Sequence, residues 1–320
     1  MVNSTAQEPR VEASQPREPR TTERKRPRRI KESSTDRVFM AAVYILLVTL
    51  LLCVLLPLIW IVASSFSDPL AVSSGRVGFW PVDFTLEGYQ RALSDDSILT
   101  GFGNSLFYTV VGTAISLVLT VAIAYPLSRS ALWGRRGITL FVIFTMLFAG
   151  GIIPTYLVVQ NFGMLDTRWA LILPQAIGVW QVIIAVSFFR TSIPDELYEA
   201  AQLDGASDLR FLWTVVLPLS KPLLAVIALM YAIYQWNSYF DALLYLRDPD
   251  LYPLQLVLRN VLILNQTAPG LDAAAAMERQ QLANLMKYSL IVISTVPVML
   301  VYPFVARFFN KGILVGAVKG

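Results

Sequence analysis

Long charge-free stretches alternate along this chain with short polar ones. No Asp, Glu, Lys or Arg interrupts Val38–Ser67, Ser97–Ser128, Gly137–Leu165, Trp169–Phe189, Pro222–Phe240 or Tyr288–Ala306. A helix needs about 20 residues to cross a ~30 Å hydrocarbon core, so the pattern predicts six transmembrane helices and an all-α integral membrane fold. One polar island breaks this rhythm. Between the fourth and fifth windows, Ser192–Pro222 carries Asp195, Glu196, Glu199, Asp204 and Asp208 within fourteen positions.

The island reads as two short helices meeting at a bend. Ser192 is the expected N-cap of the first, with Pro194 in its first turn and Asp195 near the positive end of the helix dipole. Gly205 is the expected C-terminal stop, because glycine adopts the left-handed conformation without a side-chain clash. Ser207 is placed to cap the second helix, which Pro218 is expected to end before Pro222 opens the fifth span. Ala200 and Ala201 give the first helix a low-relief face, and Asp195 and Glu199, four residues apart, share an acidic edge. A small knob with an acidic rim suits a cleft that holds a partner's arginine.

Composition agrees with the membrane assignment. Hydrophobic residues make up 55% of the chain and charged ones 15%, and mean hydropathy is +0.57, beyond what an ordinary soluble domain carries. The net charge of +4 lies in the first 37 residues, where ten Lys/Arg face six Asp/Glu; the remainder holds sixteen of each. Those residues are also poor in large apolar side chains, which predicts a disordered basic tail at 1–37. The run Arg24-Lys25-Arg26-Pro27-Arg28-Arg29 before a first span fits a topogenic or lipid-headgroup role better than nucleic-acid binding. Alternate connections hold nineteen Lys/Arg against seven in the others. That bias predicts both termini, and Ser192–Pro222, on the cytoplasmic side of the cell membrane.

The divisions that follow are the tail at 1–37, a first helix with its external loop at 38–102, a core at 103–309 with the polar hairpin at 193–217, and a C-terminal tail at 310–320. In the external loop, Phe79-Trp80-Pro81 suits the aromatic belt and Thr85 is a candidate cap for a short surface helix. Gly150, Gly151, Pro154 and Pro174 fall inside the third and fourth windows, where neighbouring helices can re-satisfy the backbone. Late in the fifth window, Tyr231, Tyr234, Gln235 and Asn237 fall at helical spacing close to one face. They are candidates for a solute path, with interhelical hydrogen bonding and an outer aromatic belt as the competing reading. Asp241 belongs near the outer interface or facing a wet interior. Pro253–Ile263 and Ala273–Leu285 are helix candidates in the last external loop.

Several chemistries are absent from the chain. It has no histidine and one cysteine, Cys53, which argues against a transition-metal site. None of the six lysines follows a glycine in a phosphate-loop setting, and there is no Ser/His/Asp set or dinucleotide fingerprint. No cofactor and no catalytic residue is expected.

Glu199-Ala200-Ala201-Gln202-Leu203-Asp204-Gly205-Ala206, followed by Leu217-Pro218, resembles the EAA motif of importer-type ABC transporter permeases. The likeness covers about residues 75–320. It implies a six-helix type I importer permease whose Glu199, Ala200, Ala201, Asp204, Gly205, Leu217 and Pro218 couple it to ATPase subunits. It also implies the partners: a second homologous permease, two ATP-binding cassette subunits that bind ATP and Mg and do the hydrolysis, and an extracellular solute-binding protein. Phe84-Thr85-Leu86-Glu87, Asn104-Ser105, Trp236-Asn237, Pro253-Leu254-Gln255-Leu256 and the ending at Gly312–Gly320 are similar to the carbohydrate branch. In that branch the last external loop and C-terminal tail touch the binding protein and the ATPase. The substrate implied is a carbohydrate, an oligosaccharide in particular. A peptide or other small polar solute is the alternative, and a secondary transporter a more distant one.

Overall fold

The structure, a computed structural model, describes residues 33–263, 284 and 286–303. The residues before 33, the helix expected at Ala273–Leu285, the end of the sixth window and the C-terminal tail lie outside that set, apart from residue 284. The chain divides into two compact units, Met1–Cys53 and Val54–Gly320. All the regular structure among the described residues is helical.

Helix α1, Ser34–Ser65, begins before the boundary expected at 37. Its start is a capping arrangement in which the Asp36 carboxylate accepts from the Ser33 N–H at 3.3 Å. In the first unit its apolar side chains, Phe39, Leu46 and Leu51 among them, are exposed. A helix apolar on every side needs lipid around it.

In the second unit, α2 (Pro69–Ser73) and α3 (Glu87–Leu93) lead to α4, Asp96–Ser128. Thr85 accepts from the Glu87 N–H at 3.2 Å while Leu86 occupies the cap position of α3, one residue beyond the expected cap. The 33 residues of α4 reach about 50 Å at 1.5 Å per residue. It is the spine of the unit, and α8, α12 and α14 all pack on it. The helices that follow are α5 (Arg135–Leu147), α6 (Ile152–Asn161), α7 (Trp169–Ile172), α8 (Val179–Ser192) and α9 (Asp195–Leu203). Next come α10 (Asp208–Phe211), a π-helical turn at Leu212–Val216, α11 (Leu217–Leu219), α12 (Lys221–Trp236) and α13 (Tyr239–Tyr245). The series ends with α14 (Leu254–Ile263) and α15 (Met286–Pro303).

Among the described residues three helices are long and apolar enough to cross a membrane, α1, α4 and α15, and up to five spans result if each bent pair counts as one. The third window is not one helix, because α5 and α6 meet at 113°. Gly151 sits between them at φ +89°, a conformation that a side chain would oppose, and Pro154 lies in the first turn beyond it. The fourth window is divided between α7 and α8, with Pro174 in the gap. The fifth stops at Trp236, where the Asn237 side-chain amide donates to the Ile233 carbonyl at 2.7 Å and the Ser238 hydroxyl to that of Gln235 at 2.7 Å. Polar side chains there occupy the carbonyls that another helical turn would use.

Candidate functional site

The polar island folds as a hairpin whose cap differs from the expected one. Ser192 is the last residue of α8, and Pro194 takes the cap position of α9 with no side-chain bond. Proline fits there because its fixed φ, −58°, and missing N–H cost nothing at a helix start. The other end of α9 is as expected. Gly205 stands at φ +75°, and the Ala206 N–H reaches the Ala201 carbonyl at 2.9 Å, closing a Schellman turn. Ser207 caps α10 by accepting from the Arg210 N–H at 3.4 Å. Pro218 does not end the second helix. The helix runs on to Leu219 after a π turn in which the Leu217 N–H bonds the Leu212 carbonyl, and the chain then bends by 82° into α12. Proline offers no donor, and the widened turn spreads its effect over neighbouring carbonyls.

Glu199, Ala200, Asp204 and Gly205 are exposed together at the outer end of the hairpin. Between them Leu203 is 90% exposed, an apolar side chain that the sequence reading did not single out. Ala201 is half-buried against the cluster holding Phe189, Ile193 and Phe211. Leu217 and Pro218 belong to the separate element α11.

What fixes the hairpin from within is Arg129, the residue that ends α4. Its side chain is 10% exposed, and its guanidinium lies 5.1–5.3 Å from the ring centroids of Tyr125, Tyr198 and Phe211. One Nη atom is 3.7 Å from the Asp195 carboxylate. Tyr198 donates to Asp208 at 2.6 Å and accepts from the Gln202 amide at 2.9 Å. The Asp208 carboxylate that takes its hydrogen bond holds the Tyr198 phenol above the ordinary tyrosine value, and burial adds to the shift. The end of α4 is therefore tied to both halves of the hairpin.

The four candidate path residues, three on α12 and Asn237 at its C-cap, do not share one face. Tyr231 is buried, with its hydroxyl 2.7 Å from that of Thr120 and accepting from the Gly178 N–H at 2.9 Å. Gln235, one turn on, is fully buried over Gly112 of α4, where an added Cβ would stand 2.8 Å from the glutamine amide. Tyr234 and Asn237 are exposed, and Tyr234 donates to Asp241 at 2.8 Å.

No family model matches the chain. It is 45% identical to protein LplC of Bacillus subtilis (strain 168) over 83% of this chain and 90% of that one. It is 43% identical to the polygalacturonan/rhamnogalacturonan transport system permease protein YtcP of the same organism, over 89% of this chain and 99% of that one. A chain from the crystal structure of a bacterial ABC transporter involved in the import of the acidic polysaccharide alginate superposes with a TM-score of 0.80 at 36% identity, covering 87% of this chain and 99% of that one.

Proposed function

The chain belongs to the carbohydrate ABC transporter permeases, a family of membrane proteins, and from that premise we propose that it is one of two permease subunits of an oligosaccharide importer. Its translocation path forms with a homologous permease, and α9 is the coupling helix that seats in a separate ATPase subunit. ATP and Mg are bound and used by those partners, and a solute-binding protein delivers the sugar. Both termini lie in the cytoplasm. Two of the similar proteins are named for polymers of acidic sugars, which favours a carbohydrate over a peptide.

The observation that carries the coupling reading is the construction of the hairpin. Its tip exposes Glu199, Ala200, Leu203 and Asp204 on a helix closed by a glycine turn, while Arg129 anchors its base to α4, the helix on which α12 packs. A push on the tip thus reaches α12 and its neighbours as tilting, and alternating access follows. The exposed Tyr234 on α12 and Asn237 at its C-cap are the path residues of this reading, whereas Tyr231 and Gln235 hold α12 against α4.

Glu199→Lys and Gly205→Val test the coupling. The first reverses charge on the docking face. The second puts a β-branched residue at φ +75°, where L side chains are strained. Each is expected to abolish ATP-driven uptake in proteoliposomes while membrane insertion and assembly of the permease pair persist. Normal uptake by either variant sinks the assignment.

A further inference from the structure

At the end of α12 farthest from the coupling hairpin, a groove of about 630 Å³ opens between α12, α14 and α15. The sixteen residues of α12 separate the two features by about 24 Å, so the groove lies on the side from which an imported solute arrives. Its lining combines two kinds of surface. Tyr239 supplies an exposed aromatic ring, the buried Trp236 closes the lining beside it, and Asn237, Gln255 and Thr295 supply amide and hydroxyl groups. Sugars are bound by such mixtures, with the apolar face of the pyranose ring on an aromatic and its hydroxyls on amides.

Among the described residues the lining holds one charged side chain, Arg259, and no acidic one. Among the described residues the ion pairs are Arg76–Asp83, Arg91–Glu87 and Arg129–Asp195. Arg259, half-buried on α14, is in none of them. The hydroxyls of Ser294 and Thr295 donate to the Ile291 carbonyl at 2.9 and 2.7 Å, and the Trp236 indole N–H donates to the Ser294 carbonyl at 3.0 Å. With its proton already given, the exposed Thr295 hydroxyl offers the groove an acceptor for a sugar O–H, while Arg259 brings a planar fork of donors suited to a carboxylate.

We propose that this groove is a subsite for an acidic oligosaccharide, with Arg259 pairing with the carboxylate of a uronate residue. The assignment rests on the importer reading above and narrows its substrate class. A neutral sugar leaves the guanidinium without its partner, so the groove discriminates by charge as well as by shape.

The test uses the complete importer in proteoliposomes, with the partner subunits and the binding protein unaltered. The probes are trigalacturonate, trimannuronate, their methyl esters and a neutral galactotriose, and the readouts are uptake and solute-stimulated ATP hydrolysis. The wild type is expected to respond to an acidic trimer above its ester. Arg259→Ala is expected to lower kcat/KM for the acid roughly 10- to 100-fold, leave the ester within about twofold, and fall below Arg259→Lys. Equal losses for acid and ester, or no loss, overturn the role of Arg259. A defect that follows the anionic-lipid content of the vesicles in place of the charge of the trimer overturns it in favour of a headgroup contact. A wild type driven by the neutral trimer and by neither acid overturns the substrate class and leaves the importer reading standing. No response to any carbohydrate removes both.

Discussion

Arg129 holds a positive charge in a place nearly closed to water, and its surroundings explain how. Three aromatic faces at 5.1–5.3 Å replace part of its hydration, and Asp195, itself 61% exposed, supplies a partner on the rim. The ion pair alone is worth little at that exposure, so the rings and the packing of the long stem carry the weight. Arg129→Ala is therefore expected to destabilise the hairpin by about 2–3 kcal/mol, and Arg129→Lys, which keeps the charge and loses the planar face, by about half of that. Thermal melting of the purified permease measures both, and equal stability of all three proteins would dissolve the clamp. Tyr125 is one turn back along α4, but Asp195, Tyr198 and Phe211 lie 66 to 82 positions from Arg129, so nothing along the chain pointed to them. Gly205 and Ser207 were legible for the opposite reason, since a left-handed turn and a cap are decided by the residue and its immediate neighbours.

Between elements, the most extensive packing is that of α4 with α12. Gly112 leaves room for Gln235, and on the same run of α4 the hydroxyl of Thr120 meets Tyr231. An alanine at 112 needs the glutamine amide to move, and the amide is enclosed on every side. Gly112→Ala is expected to cost about 1–3 kcal/mol through overpacking, and Gln235→Ala in the same chain is expected to recover most of the loss. A double-mutant cycle on melting temperature reads the coupling; additive effects would mean that the two positions do not share the space. The polar character of the late fifth window was visible in the sequence, but helical spacing alone did not tell which residues faced α4. Tyr231 and Gln235, four apart, do; Tyr234 and Asn237 stay exposed. Pro218 was read as a stop because proline usually ends a helix, and the π turn before it let the helix continue to Leu219.

Across the whole molecule, counting charge-free windows located the apolar helices but not their breaks, because charge is silent about φ at Gly151 and about the gap at Pro174. Long-range stitches set by single polar residues were equally silent, and Asp166 is the clearest. It stands at φ +59°, its own N–H donates to the Tyr245 carbonyl at 2.9 Å, and one carboxylate oxygen accepts from the N–H groups of Arg247 and Asp248 at 2.8 and 2.9 Å. The hydrogen bonds from Asp248 and then Arg247 hold the carboxyl below its ordinary value of 3.8. A lowered pKa means that the folded state binds the proton less readily than the unfolded chain. The stabilisation is thus complete above the ordinary carboxylate value and is lost as pH falls through it towards the lowered one. Asp166→Asn keeps the tolerance for positive φ and a neutral acceptor. The wild type is expected to melt above this variant at pH 7, with the difference shrinking steadily from about pH 4 downward. A difference that stays constant to pH 3 would assign the stitch to backbone geometry and remove the carboxylate's charge from it.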